Sequence, residues 1–271
     1  MALVLVVPGP SRDAQDSKRI NGALVSALRA ARGLIPGPAQ IRIFEPDEFF
    51  ARPQPPAGPA AEDAARLAGE LLQGWWCNAY CRGEERPQVS PPDPAAAERD
   101  LATTAFFGTE WGSATWEAHA LARYLTDHKL RHELRDSVLA AVQPDTRVIV
   151  GHGIGALIAY EALCAVGEGV NVTFVTLGAA LSGPAQIFDR AEPRPRDEQG
   201  HWPAAVRHWT NIVAHSDLTA ITVPELTDRF GQGIDDQVVA LTLTQGDIYK
   251  YLLDQATGRA VAAGLRDWLS G

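Results

Sequence analysis

Apolar positions along this chain fall into short strand-like runs and longer helical ones. Leu3 to Val7 is wholly apolar, which predicts a strand covered on both faces. Further strands are predicted at Ile41, Ile43 and Phe44, then at Arg147 to Val150, Val172 to Leu177, Val206 to Ala214 and Gln237 to Leu243. Helical periodicity marks Asp16 to Ala31, Ile154 to Val166, the short Val223 to Phe230, and two stretches within Asp247 to Leu269.

Between the second and third strands the pattern changes. Arg52 to Ala60 is rich in proline and alanine and reads as a surface loop. From Glu62 to Val142 the period is helical, broken at Arg82 to Pro94 and near Gly108 to Ser113. Residues 52–142 are therefore expected to form a helical cap or lid inserted into a single domain spanning 1–271. Alternating strands and helices predict the α/β class, a mostly parallel sheet with helices on both faces.

Composition narrows the picture. A chain of 271 residues, 46% hydrophobic and 21% charged, can build one large core and is not globally disordered. Its formal charge of −9 argues against nucleic-acid partners and anionic membrane surfaces. The opening MALVLVVPGP is too short to cross a bilayer and lacks a basic flank, and no later run is long enough, so no membrane span is expected.

Three cysteines make no disulfide framework, and reduced thiols fit a cytoplasmic location. Cys77 and Cys81 lie one helical turn apart, a spacing open to a metal or redox pair. No other Cys or His stands at ligand spacing, so they read as half-buried thiols beside Trp75 and Trp76. His128 and His132 share that spacing, lack a third ligand, and read as a solvated helix face. No metal and no cofactor is expected.

The chemistry concentrates in RVIVGHGIGALIAYEAL, residues 147 to 163. A strand runs into G-H-G-I-G and then into a helix. The nucleophile elbow is G-x-S-x-G in the same context: its centre holds a strained backbone, and its flanking glycines let strand and helix approach. Gly151 and Gly155 take the flanks here, and the centre is Gly153, which adopts the turn readily but brings no nucleophile.

Here the chain resembles the α/β-hydrolase superfamily, in particular its bacterial lipase- and esterase-like members. LVVPGPS at 5 to 11 resembles their first strand and oxyanion loop, and VTLGAALSG at 175 to 183 the segment after the next strand. RHWTNIVAHSDLTA at 207 to 220 resembles the segment bearing the triad acid, and QGDIYKYL at 245 to 252 the one bearing the histidine. The resemblance implies Asp217 as the acid, Gly246 in place of histidine, and Pro10 where an oxyanion N–H would be supplied. Proline has no N–H. Loss of nucleophile and base together removes the covalent route.

GHGIGA also satisfies the dinucleotide fingerprint. Against that reading, the following strand ends in TLGAAL with no acid for a ribose, and the motif lies deep in the chain.

Other groups have two readings each. His152 packs under the turn, or serves as one of few ionisable groups near it. Asp247 is an acid or base, or simply caps the helix that follows it. His215 substitutes for the missing base, or sits exposed on a loop. Trp75, Trp76, Trp111 and Trp116, with Phe106 and Phe107, line an apolar pocket or partner groove, or pack the cap onto the domain.

The expectation is a non-hydrolytic protein that binds a small apolar molecule or a protein partner under the cap. A non-hydrolytic enzyme (a cyclase, lyase or isomerase) is the alternative, since positioning alone accelerates reactions. A dinucleotide-binding protein comes third.

Overall fold

The computed structural model describes residues 3–10, 17–51, 58–81, 90–108, 113–167, 169–220, 226–231, 233–244 and 246–267. Its centre is a six-stranded sheet of β1 (Val4–Val7), β2 (Ile41–Ile43), β3 (Val148–His152), β4 (Val172–Leu177), β5 (Val206–Ala214) and β6 (Ile234–Val239). The spatial order is β2-β1-β3-β4-β5-β6, and every pairing is parallel.

β1, β3 and β4 are buried along their whole length, which explains their unbroken apolar runs. Chain order runs one way from β1 to β2 and the other way from β3 to β6. The crossovers therefore part between β1 and β3, the place where open parallel sheets carry a ligand crevice at the carboxyl ends of their strands.

The helices cover both faces. α7 (Ile154–Ala165) packs on β1 and β3, while α11 (Gln255–Asp267) packs on β3, β4 and β5. α7 reaches β3 at Gly151, and Gly264 of α11 reaches it at Val148. Those two strand positions are three apart, so they point to opposite faces. α1 (Ser17–Ala30) lies against α11 and against α10 (Ile248–Leu253).

Between β2 and β3 run α2 (Asp47–Phe50), α3 (Pro59–Tyr80), α4 (Pro94–Leu101), α5 (Ser113–Thr126) and α6 (His128–Ala141). α3 packs on α4 and α5, α5 on α6, and α6 on α7. Their buried residues, among them Leu67, Leu71, Leu121 and Leu134, belong to the same continuous core as the strands. Two short helices, α8 (Ala185–Phe188) and α9 (Leu226–Phe230), complete the set, and residues 223–225 of the helix expected there lie outside the described residues.

A buried ionic cluster fastens α6 to α7. Arg131 pairs with Glu161, and their side chains are only 3% and 0% exposed. Tyr124 Oη donates to the same carboxylate at 2.6 Å, and the Glu192 N–H donates to it at 3.0 Å.

The last strand departs from the expectation. The apolar residues predict it at Gln237 to Leu243, and it lies at Ile234–Val239. The register is set by Asp236, whose carboxylate accepts from the Asn211 side chain at 2.7 Å and from the Thr227 N–H at 2.7 Å. β6 is an edge strand, where polar residues face water at little cost.

Candidate functional site

Gly153 joins β3 to α7 with φ +55° and ψ −124°. Its N–H donates to Leu177 O at 3.1 Å, and its carbonyl accepts from Ala156 N at 3.2 Å and Ala180 N at 3.1 Å. The turn is thus held from β4 and from the segment after it. No described atom lies within 4 Å of where a Cβ would project from Gly153.

The flanking glycines do a different job. A Cβ on Gly151 would lie 2.5 Å from Ala156 Cα, and one on Gly155 would lie 2.2 Å from Val7 O. Strand and helix therefore approach until no side chain fits between them. The turn between them is tight, and its centre carries no side chain.

Asp217 follows β5 and is buried. Its Oδ1 accepts from Thr219 N at 2.9 Å and from Thr219 Oγ1 at 2.7 Å. Its Oδ2 accepts from Tyr251 Oη at 2.8 Å. Burial raises its pKa, and these donors oppose that by favouring the carboxylate. Gly178, at φ +50°, allows this packing, because a Cβ there would meet Asp217 Oδ2 at 2.4 Å.

His152 is the last residue of β3. Its ring lies 5.8 Å from that of Tyr251, edge on, and its Nδ1 finds no hydrogen-bond partner among the described residues. Burial pushes its pKa down to about 4, with Asp247 pulling weakly the other way, so the imidazole is neutral at physiological pH.

The remaining site positions separate. Asp247 is the N-cap of α10, accepting from Lys250 N at 3.2 Å and pairing with Lys250 Nζ at 3.3 Å. Gly246 is exposed with φ +71°. Pro10 is half-buried and ends the described part of its loop. His215 is exposed, and its backbone N–H pairs with Val239 O at 3.0 Å.

The aromatic residues pack. Trp75 is buried 5.7 Å from the Phe107 ring, and Phe106 meets Phe107 edge on at 4.9 Å. Trp76 Nε1 donates to Asp100 Oδ2 at 2.7 Å, and Trp116 lies half-buried on the core. Trp111 lies outside the described residues. Cavities include one of about 160 Å³ beneath Ala60, Ala64, His119 and Arg123, and one of about 420 Å³ between Leu72, Pro94 and Thr115. Trp75, Trp76 and Trp116 line neither.

His128 and His132 are both exposed, and no group of three or more metal-ligating side chains occurs among the described residues. Among those residues, too, no helix is long and apolar enough to cross a membrane.

Sequence reasoning missed Tyr251 and Thr219 as the partners of Asp217. It also missed Arg131 and Glu161. One signal was available for the last: Glu161 is a lone acid inside the apolar helix IGALIAYEALCA, and such an acid must find a partner.

The chain matches no protein-family model, no curated protein and no solved structure. The class its fold defines is an α/β protein built on an all-parallel six-stranded sheet.

Proposed function

We propose that this chain is an α/β-hydrolase-fold protein that no longer performs acyl transfer and uses the crevice at the ends of β1 and β3 to bind a small apolar molecule. The observation that carries the reading is Gly153: elbow backbone, elbow neighbours and no nucleophile. Three others support it. The strand order reverses at the elbow. An acid follows the fifth strand at Asp217. Both oxygens of that acid are taken by Thr219 and Tyr251 rather than by an imidazole.

A second reading, a non-hydrolytic cyclase, lyase or isomerase, is favoured by the neutral imidazole of His152 beside the Tyr251 ring. Such an imidazole offers a lone pair to a hydrogen-bond donor of a substrate, and positioning can supply a large share of an acceleration. The dinucleotide reading draws no support from β4, which runs into Gly178 and Ala179 with no acid. A cytoplasmic location is part of the proposal and rests on three free thiols.

The test uses the purified full chain. A fluorophosphonate probe should label no serine, and p-nitrophenyl esters should give no burst. Labelling of any serine removes the central claim. The protein is then exposed to a mixture of apolar metabolites and analysed by native mass spectrometry. A bound compound recovered unchanged supports the binding reading, and an isomer of equal mass supports the second. Capture of a polypeptide alone would replace the small molecule with a protein partner.

A further inference from the structure

The last turn of α3 carries two thiols that the site above does not use. Cys77 and Cys81 are both half-buried, and Cys81 N–H donates to Cys77 O at 2.8 Å, so this turn is α-helical. The thiols therefore stand on one face of the helix, one turn apart.

The turn is pinned on two sides. Asn78 Nδ2 donates to Leu218 O at 2.8 Å. Trp76 Nε1 and Tyr80 Oη donate to Asp100 Oδ2 and Asp100 O at 2.7 and 2.9 Å. The backbone that carries the two thiols is thereby anchored.

Helix geometry limits what the pair can do. Cβ atoms at i and i+4 are about 5–6 Å apart. A disulfide needs them roughly 3.5–4.5 Å apart, which this pinned turn resists. Zinc requires about four ligands, and no cluster of three occurs among the described residues. A two-coordinate soft cation needs only two opposed sulfurs. With metal–sulfur bonds near 2.3 Å, those sulfurs stand about 4.6 Å apart, a span within reach of two side chains whose Cβ atoms are about 5–6 Å apart.

We propose that Cys77 and Cys81 form a two-thiolate site for one soft monovalent cation of the Cu(I) type. Binding replaces two S–H protons with two Cu–S bonds and leaves a bis-thiolate of net charge −1, with both protons released to solvent. Copper stays Cu(I) throughout. Because binding displaces two protons, it weakens as pH falls. The site does not depend on the hydrolase-fold reading.

The test is anaerobic titration of the reduced full chain with Cu(I) buffered by a coloured chelator. The expected result is one equivalent withdrawn by the wild type and by Cys164→Ser. Cys77→Ser and Cys81→Ser should each weaken retention by at least about tenfold. Circular dichroism of each variant confirms that it is folded. X-ray absorption of the copper-loaded protein should show two sulfurs and no nitrogen. Retention of wild-type affinity by both single variants overturns the site, as does loss of binding in Cys164→Ser. A 77–81 disulfide formed under mild oxidation without metal would overturn the geometric argument.

Discussion

Tyr251 Oη donates to Asp217 Oδ2 at 2.8 Å and accepts from the Ala214 N–H at 2.9 Å. One phenol thus ties α10 to the end of β5. The buried acid that follows β5 has a tyrosine as its partner. Burial and the adjacent carboxyl raise the phenol pKa, so it remains a donor.

Tyr251→Phe should lower stability by about 1–3 kcal/mol, because it leaves a buried carboxyl oxygen and a buried N–H without this partner. Urea unfolding at pH 7 measures it. An unchanged midpoint would mean that the bond contributes nothing.

The glycines at 153 and 155 should respond to alanine by unequal losses of stability. Gly153→Ala has room for its methyl group and faces only the positive φ, at about 1–3 kcal/mol. Gly155→Ala drives a Cβ to 2.2 Å from Val7 O and 2.4 Å from Pro8 O, and should cost more than about 3 kcal/mol or prevent folding. Thermal melts of the two variants side by side give the comparison. Equal losses would contradict the assigned geometry.

Introducing a serine at position 153 and a histidine at position 246 should not create hydrolysis. In Gly153→Ser with Gly246→His, Asp217 is still held by Thr219 and Tyr251, and Pro10 still has no N–H to donate. Release of p-nitrophenol should stay at the wild-type background. A stoichiometric burst from the double variant would refute the expectation.

His152 gives stability a pH dependence. Its folded pKa of about 4 lies below the unfolded value of 6.5. Above pH 6.5 neither state binds the proton. Between pH 6.5 and 4 the unfolded chain takes a proton that the folded chain refuses, so stability falls as pH falls through that window. The loss is on the order of 3 kcal/mol. Urea midpoints at pH 7 and pH 4.5 should converge in His152→Gln relative to the wild type. An equal drop in both proteins assigns the effect to other groups.

Arg131→Met leaves the Glu161 carboxylate buried without its cation, which should cost about 3–5 kcal/mol. Adding Glu161→Leu should recover much of that, since an apolar pair removes the uncompensated charge. Differential scanning calorimetry of both variants settles the order. A double variant less stable than the single one would show that the pair has net value in place.

Much of the fold was legible because its signals are local. Five of six strands lie near their expected positions, and each is marked by its own apolar run. The turn at Gly153 was legible too, since G-H-G-I-G between an apolar strand and a helix specifies a tight strand-to-helix connection. The sixth strand was misplaced by three residues at its start, because its register depends on Asn211, which is 25 residues distant from Asp236.

The side-chain networks were not legible. Arg131 sits in HKLRHELRDS, which reads as a solvated face until α7 covers it. Tyr251 reads as one more apolar position of α10, and only the return of that helix to β5 turns its hydroxyl toward Asp217.

The chain alone therefore determined the succession of strands and helices and the missing nucleophile, because periodicity and turn chemistry act over a few neighbouring residues. Which groups hold Asp217, whether His152 carries a charge, and where the edge strand pairs were decided by packing. Those outcomes depend on desolvation and on contacts between segments far apart in sequence, which no local pattern encodes.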